Sequence, residues 1–349
     1  MLKLQDIRRV HVELTTRCNA RCPMCMRNYR GMDYNSGYPD CELSLSQFTQ
    51  IFTPALLQQL IKPEPAINGR VPIVYEFRGV LFNGNLGDFS SARDAAEIVQ
   101  YLSQHKIPVM IITNGSARTP EWWAQLAHPN VQIGFALDGL ADTHALYRQD
   151  TDWNKVIKNA TAFIQAGGQA IWRFIPFEHN RHQEDQCRQM AKQLGFVNFE
   201  NIYDGRDTGP VFTRNGQYSH FIGINPTPHR YAPQIDAMLQ NHVTWYKAAT
   251  VHEPKDTPQL NIKCVHKRNR EIYVAADGSV YPCCFLGFYP TVMQHPGNQE
   301  LSQLISHNNA LQYPLEQCLE WFDQIEHTWN LNSIAQGRTY QCVKTCNQI

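Results

Sequence analysis

Short apolar runs separated by amphipathic stretches set the rhythm of the first two hundred residues. The run that starts Val10-His-Val-Glu-Leu, then Ile73–Phe77, Val109–Thr113, Val131–Leu137 and Ala170–Ile175, each read as a buried strand of a parallel sheet. Between them, Ala92–His105, Glu121–Ala127, Trp153–Ala166 and Gln183–Leu194 read as helices, with Ala96, Val99 and Leu102 on one apolar face of the first. Gly167-Gly168 and Gly195 stand where helix C-termini favour left-handed backbone. This alternation predicts a parallel sheet with right-handed crossovers, either doubly wound or part of a (β/α) barrel. Both arrangements place their chemistry at the C-terminal ends of the strands.

From about Gly205 to Pro258 the rhythm dissolves into Asp-Gly-Arg-Asp-Thr-Gly-Pro, Asn225-Pro-Thr-Pro and Glu253-Pro-Lys-Asp-Thr-Pro, which read as a linker or substrate-side insertion. Ile272-Tyr-Val-Ala-Ala, the turn Asp277-Gly278 and Ser-Val-Tyr then predict a hairpin. Leu301–His307 and Leu315–Glu326 are expected as short helices leading to Cys342 and Cys346.

A length of 349 residues suits two domains, or one barrel-sized unit with an appendage. Lys+Arg and Asp+Glu are both 31, so the chain lacks the basic excess that marks a nucleic-acid partner. No apolar segment follows Met1 and no long apolar run occurs elsewhere, so neither secretion nor a membrane span is expected and the location expected is cytoplasmic.

The cysteines change the picture most. There are 11, an odd number, and they are bunched, which is unlike a disulfide framework and points to reduced thiols meant for metal. Cys18, Cys22 and Cys25 share one short loop with the spacing C-x-x-x-C-x-x-C, while Cys264, Cys283, Cys284, Cys318, Cys342 and Cys346 gather after position 260. Cys41 and Cys187 stand apart and read as small core residues. Three thiolates on one loop can take three corners of a 4Fe-4S cube and leave one iron open, and an open metal position is a catalytic feature.

The segment Glu13-Leu-Thr-Thr-Arg-Cys18-Asn-Ala-Arg-Cys22-Pro-Met-Cys25 resembles the radical S-adenosylmethionine (SAM) enzymes. The resemblance implies that the open iron binds the amino and carboxylate groups of SAM. One electron then cleaves SAM to methionine and a 5′-deoxyadenosyl radical that abstracts a substrate hydrogen. It also implies a partial (β/α)6 TIM-like barrel. Gly84, Asn85, Gly87 and Asp88 resemble the family's Gly-Gly-Glu segment, with Asp88 where Glu is usual. Thr113 and Asn114 after the third strand, Asp138 after the fourth, and Arg148 resemble contacts to the SAM ribose and carboxylate; Ala136 stands where a Ser is frequent. Met24 would present its backbone to the adenine, and Arg173 could face the same pocket.

The second group resembles the SPASM/twitch appendage of that family, a hairpin and short helix that bind auxiliary clusters. Its six cysteines lack the spacing of the two-cluster form, so one auxiliary 4Fe-4S cluster is expected. The ligands expected are Cys264, Cys283, Cys342 and Cys346, with Cys284 as the substitute for Cys283, because adjacent side chains on extended backbone point to opposite faces. Cys318 reads as core on an amphipathic helix, with a ligand role as the lesser reading.

The sequence thus predicts a radical SAM barrel over 1–205, an insertion over 206–258 and a twitch-like unit over 259–349. The expected activity is an oxidoreductase in which the auxiliary cluster accepts an electron, served by a flavodoxin- or ferredoxin-type donor. The first strand begins within a dozen residues of Met1, so the expected substrate is a small molecule, or a peptide delivered by a separate partner. The competing expectations are a zinc-stabilised binding protein without catalysis and a peptide- or nucleic-acid-modifying radical enzyme.

Overall fold

A computed structural model describes residues 2–25, 27–28, 30–32, 38–62, 77–202, 209–223, 261–287 and 301–346. Six strands follow one another across one sheet in chain order: β1 (Arg9–Val12), β2 (Gly79–Phe82), β3 (Val109–Thr113), β4 (Val131–Ala136), β5 (Gln169–Phe174) and β6 (Asn198–Asn201). Each pairs in parallel with the next, with Val10 opposite Val80, Val80 opposite Val109, and Ile111 opposite Ile133. Sequential parallel pairing with helical crossovers is the layout of a partial (β/α) barrel, as the resemblance implied.

Alternation along the strands sorts their side chains. Val109 and Ile111 are buried against the helices, whereas Ile112, Ala136, Arg173 and Ile175 face a cavity inside the sheet's curve. Gly134 makes room there, since a Cβ on it would lie 2.5 Å from Cδ of Arg173.

The helices on the outer face are α1 (Leu45–Ile51), α2 (Pro54–Leu60), α3 (Ala95–Gln104), α4 (Pro120–Ala124), α5 (His144–Tyr147), α6 (Trp153–Gln165) and α7 (Glu184–Leu194). Asp152 caps α6 by accepting from the N–H groups of Asn154 and Lys155. That helix buries Val156, Ala160 and Phe163 at helical spacing, and burial of the Phe163 ring alone contributes on the order of 2 kcal/mol. Gly195 ends α7 at φ 89°.

Two further hairpins and the helix Tyr340–Cys346, which carries Cys342 and Cys346, follow the barrel strands. β7 (Gly209–Phe212) and β8 (Tyr218–Ile222) form a separate antiparallel pair. β9 (Glu271–Val274) and β10 (Val280–Tyr281) extend the main sheet beyond β1, with β9 parallel to β1 and Val12 opposite Val274. Their connection is a three-residue loop, Ala276-Asp277-Gly278. Ala275 N–H bonds to the Ser279 carbonyl, and Gly278 takes φ 86°.

The structure moves some expected elements. The second described strand is Gly79–Phe82; of the strand expected at Ile73–Phe77, residues 73–76 lie outside the described residues and Phe77 is in loop. Gly79 starts β2 because the chain passes so close to Pro108 that a Cβ would lie 2.1 Å from the Pro108 carbonyl oxygen. Of the expected insertion, residues 209–223 are the β7–β8 hairpin, and 224–258 lie outside the described residues. The single helix expected over Leu315–Glu326 is a 3-10 turn, Gln317–Leu319, followed by a helix, Phe322–Thr328. Residues 301–304 are helical and 305–307 are not.

Candidate active site

The chain leaves β1 through Glu13–Thr16 and turns at once into the first cysteine loop, where Cys25 N–H bonds to the Cys22 carbonyl and Asn28 Nδ2 to the same oxygen. Cys18, Cys22 and Cys25 all line one cavity of about 430 Å³ at the C-terminal ends of the strands. N–H groups approach two of the sulfurs. Ala20 N lies 3.4 Å and Asn114 Nδ2 3.7 Å from Sγ of Cys18, and an Arg148 guanidinium nitrogen lies 3.7 Å from Sγ of Cys22. Burial, then the Asp88 carboxylate, push the Cys18 thiol well above its usual range. All eleven cysteines are free thiols. Three sulfur donors on one wall, with N–H groups to offset thiolate charge, are a set that fits three corners of an iron–sulfur cube and leaves the fourth facing the cavity.

The other walls come from the loops after β2, β3 and β4. Nine of the ten residues expected to contact SAM line the cavity: Met24, Gly84, Asn85, Gly87, Asp88, Thr113, Asn114, Arg148 and Arg173. The tenth, Asp138, lies off the lining and fully buried. Its Oδ2 accepts from Arg148 Nε at 2.6 Å and its Oδ1 from Ile175 N–H at 2.6 Å. Burial is the largest single influence and works against the Arg148 charge, but Asp138, with Cys22 and Tyr147, outweighs it and the guanidinium pKa is raised. Asp138 thus acts through Arg148, which reaches the cavity with its charge fixed. Asp88 keeps its carboxylate among protein donors, with Thr113 Oγ1 at 2.9 Å, Asn114 N–H at 2.8 Å and Ser90 N–H at 3.0 Å. Arg173 pairs with Glu200 at 2.8 Å.

Beside the cysteine loop a small apolar cluster of Cys22, Tyr147, Ile175, Phe177, Val211 and Ile222 joins the β7–β8 hairpin to the site. Arg30 extends that contact, with its carbonyl accepting from Phe212 N–H and its guanidinium reaching Sδ of Met24. Tyr218 is exposed on β8.

Glu13 has a place in the site that sequence reasoning did not assign. Its buried Oε1 accepts from Leu86 N–H at 2.6 Å and Gly87 N–H at 2.9 Å, and its Oε2 accepts from the Tyr273 hydroxyl at 2.7 Å. Burial pushes its carboxyl pKa up against those bonds. A lone acid in the apolar run Val10–Leu14 was the available signal.

The second thiol group assembles from three distant segments. Cys346 lies against Cys264, whose thiolate is favoured by the Cys346 thiol and drawn down to about 6, while Cys283 and Cys342 complete the neighbourhood of both. Burial pushes Cys342 up to about 12. Cys284 has Glu271 and Glu13 among its charged neighbours and also acts on Cys283. Cys318 is fully buried, 3.8 Å from the Tyr313 carbonyl. Cys264, Cys283, Cys342 and Cys346 therefore lie in one neighbourhood, with Cys284 beside Cys283; four sulfur donors are the chemistry an iron–sulfur cluster or zinc would take. Among the described residues, no group of three or more His, Cys, Asp or Glu side chains is placed tightly enough to hold a metal ion as it stands.

No family model matches the sequence, and no curated protein matches it either. Solved structures do match in fold. SuiB of Streptococcus suis bound to S-adenosylmethionine covers 89% of this chain at TM-score 0.51 and 14% identity, and this chain spans 65% of SuiB's length. SuiB bound to the precursor peptide SuiA covers 93% at TM-score 0.53 and 14% identity, with 66% of that chain matched. Native anSMEcpe with bound AdoMet covers 89% at TM-score 0.50 and 17% identity, with 80% of that chain matched. At these identities the likeness is one of fold alone. Among the described residues, no helix is long and apolar enough to cross a membrane.

Proposed function

We propose that this chain is a radical SAM enzyme that binds SAM in the cavity beside Cys18, Cys22 and Cys25. The observation that carries the reading is convergence: three thiols from one loop and nine of the expected SAM contacts, drawn from five separate segments, line one cavity. The three cysteines would hold three irons of a 4Fe-4S cluster. The chemistry this cluster supplies with SAM bound is one-electron cleavage to a hydrogen-abstracting 5′-deoxyadenosyl radical.

The protein's own residues bind and orient. Arg148, held by Asp138, offers a fixed positive charge to the SAM carboxylate. Asp88 complements the ammonium group, and Thr113 and Asn114, tied to Asp88, address the ribose. Gly84 and Gly87 let backbone form the wall. Tyr147, Phe177, Val211 and Ile222 keep water from the cysteine side.

In the same proposal, residues 259–349 form an auxiliary unit in which Cys264, Cys283, Cys342 and Cys346 hold a second 4Fe-4S cluster that accepts an electron from the substrate. A flavodoxin- or ferredoxin-type protein supplies the first electron. The substrate class favoured is a peptide, supported by the precursor peptide bound in a structure of the same fold. Anaerobic reconstitution followed by reduction in the presence of SAM tests the proposal. It predicts 5′-deoxyadenosine and about eight irons per chain, two four-iron clusters. About four irons would remove the auxiliary cluster, and no 5′-deoxyadenosine would remove the activity.

A further inference from the structure

The loop from Asn83 to Gly87 walls the SAM cavity on one side and touches the second cysteine unit on the other. His11 Nε2 meets the Asn83 carbonyl at 2.5 Å, and Asn85 Nδ2 donates to the Cys284 carbonyl at 2.8 Å. Glu13 takes the Leu86 and Gly87 N–H groups on one oxygen and the Tyr273 hydroxyl on the other. The loop has little slack. A Cβ on Gly84 would lie 2.0 Å from the Gly87 carbonyl oxygen, and one on Gly87 would lie 1.7 Å from that of Thr15.

Tyr273 sits on β9, the strand that pairs with β1 in register, His11 opposite Tyr273. Cys264 caps the short helix before β9, and Cys283-Cys284 follow directly after β10. The hairpin is thus bracketed by members of the second thiol group, so whatever fixes those thiols fixes Tyr273 and the Cys284 carbonyl.

We infer that the two thiol groups are one coupled unit, in which a cluster assembled on Cys264, Cys283, Cys342 and Cys346 tightens the hold of the first cavity on SAM through Tyr273, Glu13 and Asn85. The inference rests on the SAM-binding reading of the first cavity. Glu13 and Tyr273 are positioning residues; neither lines the cavity. Both are buried, so removing the Tyr273 hydroxyl leaves a carboxylate oxygen without its donor, a costly state in a dry interior. Coupling of this kind is reciprocal: SAM must steady the hairpin as much as the hairpin steadies the SAM loop.

The test is an anaerobic SAM titration of the reconstituted full chain, read from the change in the EPR signal of the reduced first cluster. Tyr273→Phe is expected to retain the wild-type iron content and to bind SAM about tenfold more weakly. Cys342→Ala, lacking the second cluster, is expected to weaken SAM binding to a similar degree, and the double variant to be no weaker than either single one. Wild-type affinity in Tyr273→Phe, or strictly additive losses, would overturn the coupling. If Tyr273→Phe does not fold, hydrogen exchange of the wild-type protein decides. SAM is expected to slow exchange over residues 271–284, and unchanged exchange there overturns the inference. A wild-type protein whose cluster signal does not respond to SAM brings down the site reading and the coupling with it.

Discussion

The two thiol groups are built in opposite ways. Cys18, Cys22 and Cys25 come from eight consecutive residues, and all three face a cavity large enough for a ligand. Cys264, Cys283, Cys342 and Cys346 come from three segments; Cys283, Cys342 and Cys346 are buried in the core at the sheet's extended edge and Cys264 is half-buried beside them. A three-donor group that opens on a cavity suits chemistry at an incompletely ligated metal; a four-donor group closed by core residues suits electron storage or structure. The difference also explains why β9 and β10 join the main sheet, because a closed group must be carried by elements that are themselves fixed.

Breaking the open group should have the largest effect. Cys22→Ala should abolish 5′-deoxyadenosine formation and lower iron from about eight to about four per chain while the closed group keeps its share; iron analysis and product chromatography check both. Cys342→Ala should do the converse to the iron count and also lower stability, because metal binding to ligands gathered by the fold is folding free energy. Thermal melts of reconstituted protein should show a drop that Cys22→Ala does not share.

Asp138→Asn sharpens the comparison from the open side. It leaves the half-buried Arg148 guanidinium without its charged partner and should cost about 3–5 kcal/mol in urea unfolding, with weaker SAM binding in step. The same frame predicts a smaller pH effect. His144 is fully buried, its Nδ1 3.2 Å from Asp138 N–H, and burial lowers its pKa to about 4, with Asp138, Asp152 and Arg148 as its charged neighbours. Unfolded, it takes its proton near 6.5, so between about pH 6.5 and 4 the unfolded state binds more protons and stability falls as pH drops. Its share is on the order of 3 kcal/mol, and His144→Asn should flatten the profile by that amount in unfolding curves at pH 6.5 and 4.5.

Features written in local pattern were legible before any coordinates. Val109–Thr113 is β3 to the residue, and Trp153–Ala166 and Gln183–Leu194 match α6 and α7 within one residue at each end. The first cysteine loop is a local motif, and its three thiols line one cavity. The Ser44–Gln47 capping box and the Thr53-Pro54 start signal mark α1 and α2 in the sequence, yet their short apolar faces raised no expectation. Of the strand expected at Ile73–Phe77 only Phe77 lies within the described residues, and β2 begins at Gly79, beside Pro108, a start that apolar content does not mark. Tertiary partnerships were illegible. Glu13 finds Tyr273 across 260 positions, and only the parallel register of β1 with β9 brings them together.

The most direct test of the central claim, that the Cys18 loop carries a cluster with one iron open to SAM, is the EPR spectrum of anaerobically reconstituted, dithionite-reduced protein before and after SAM is added. The account predicts a reduced 4Fe-4S signal that shifts with SAM, and that vanishes in Cys22→Ala while a second, SAM-insensitive signal persists. A colourless, EPR-silent protein that retains zinc after iron–sulfur reconstitution would contradict it.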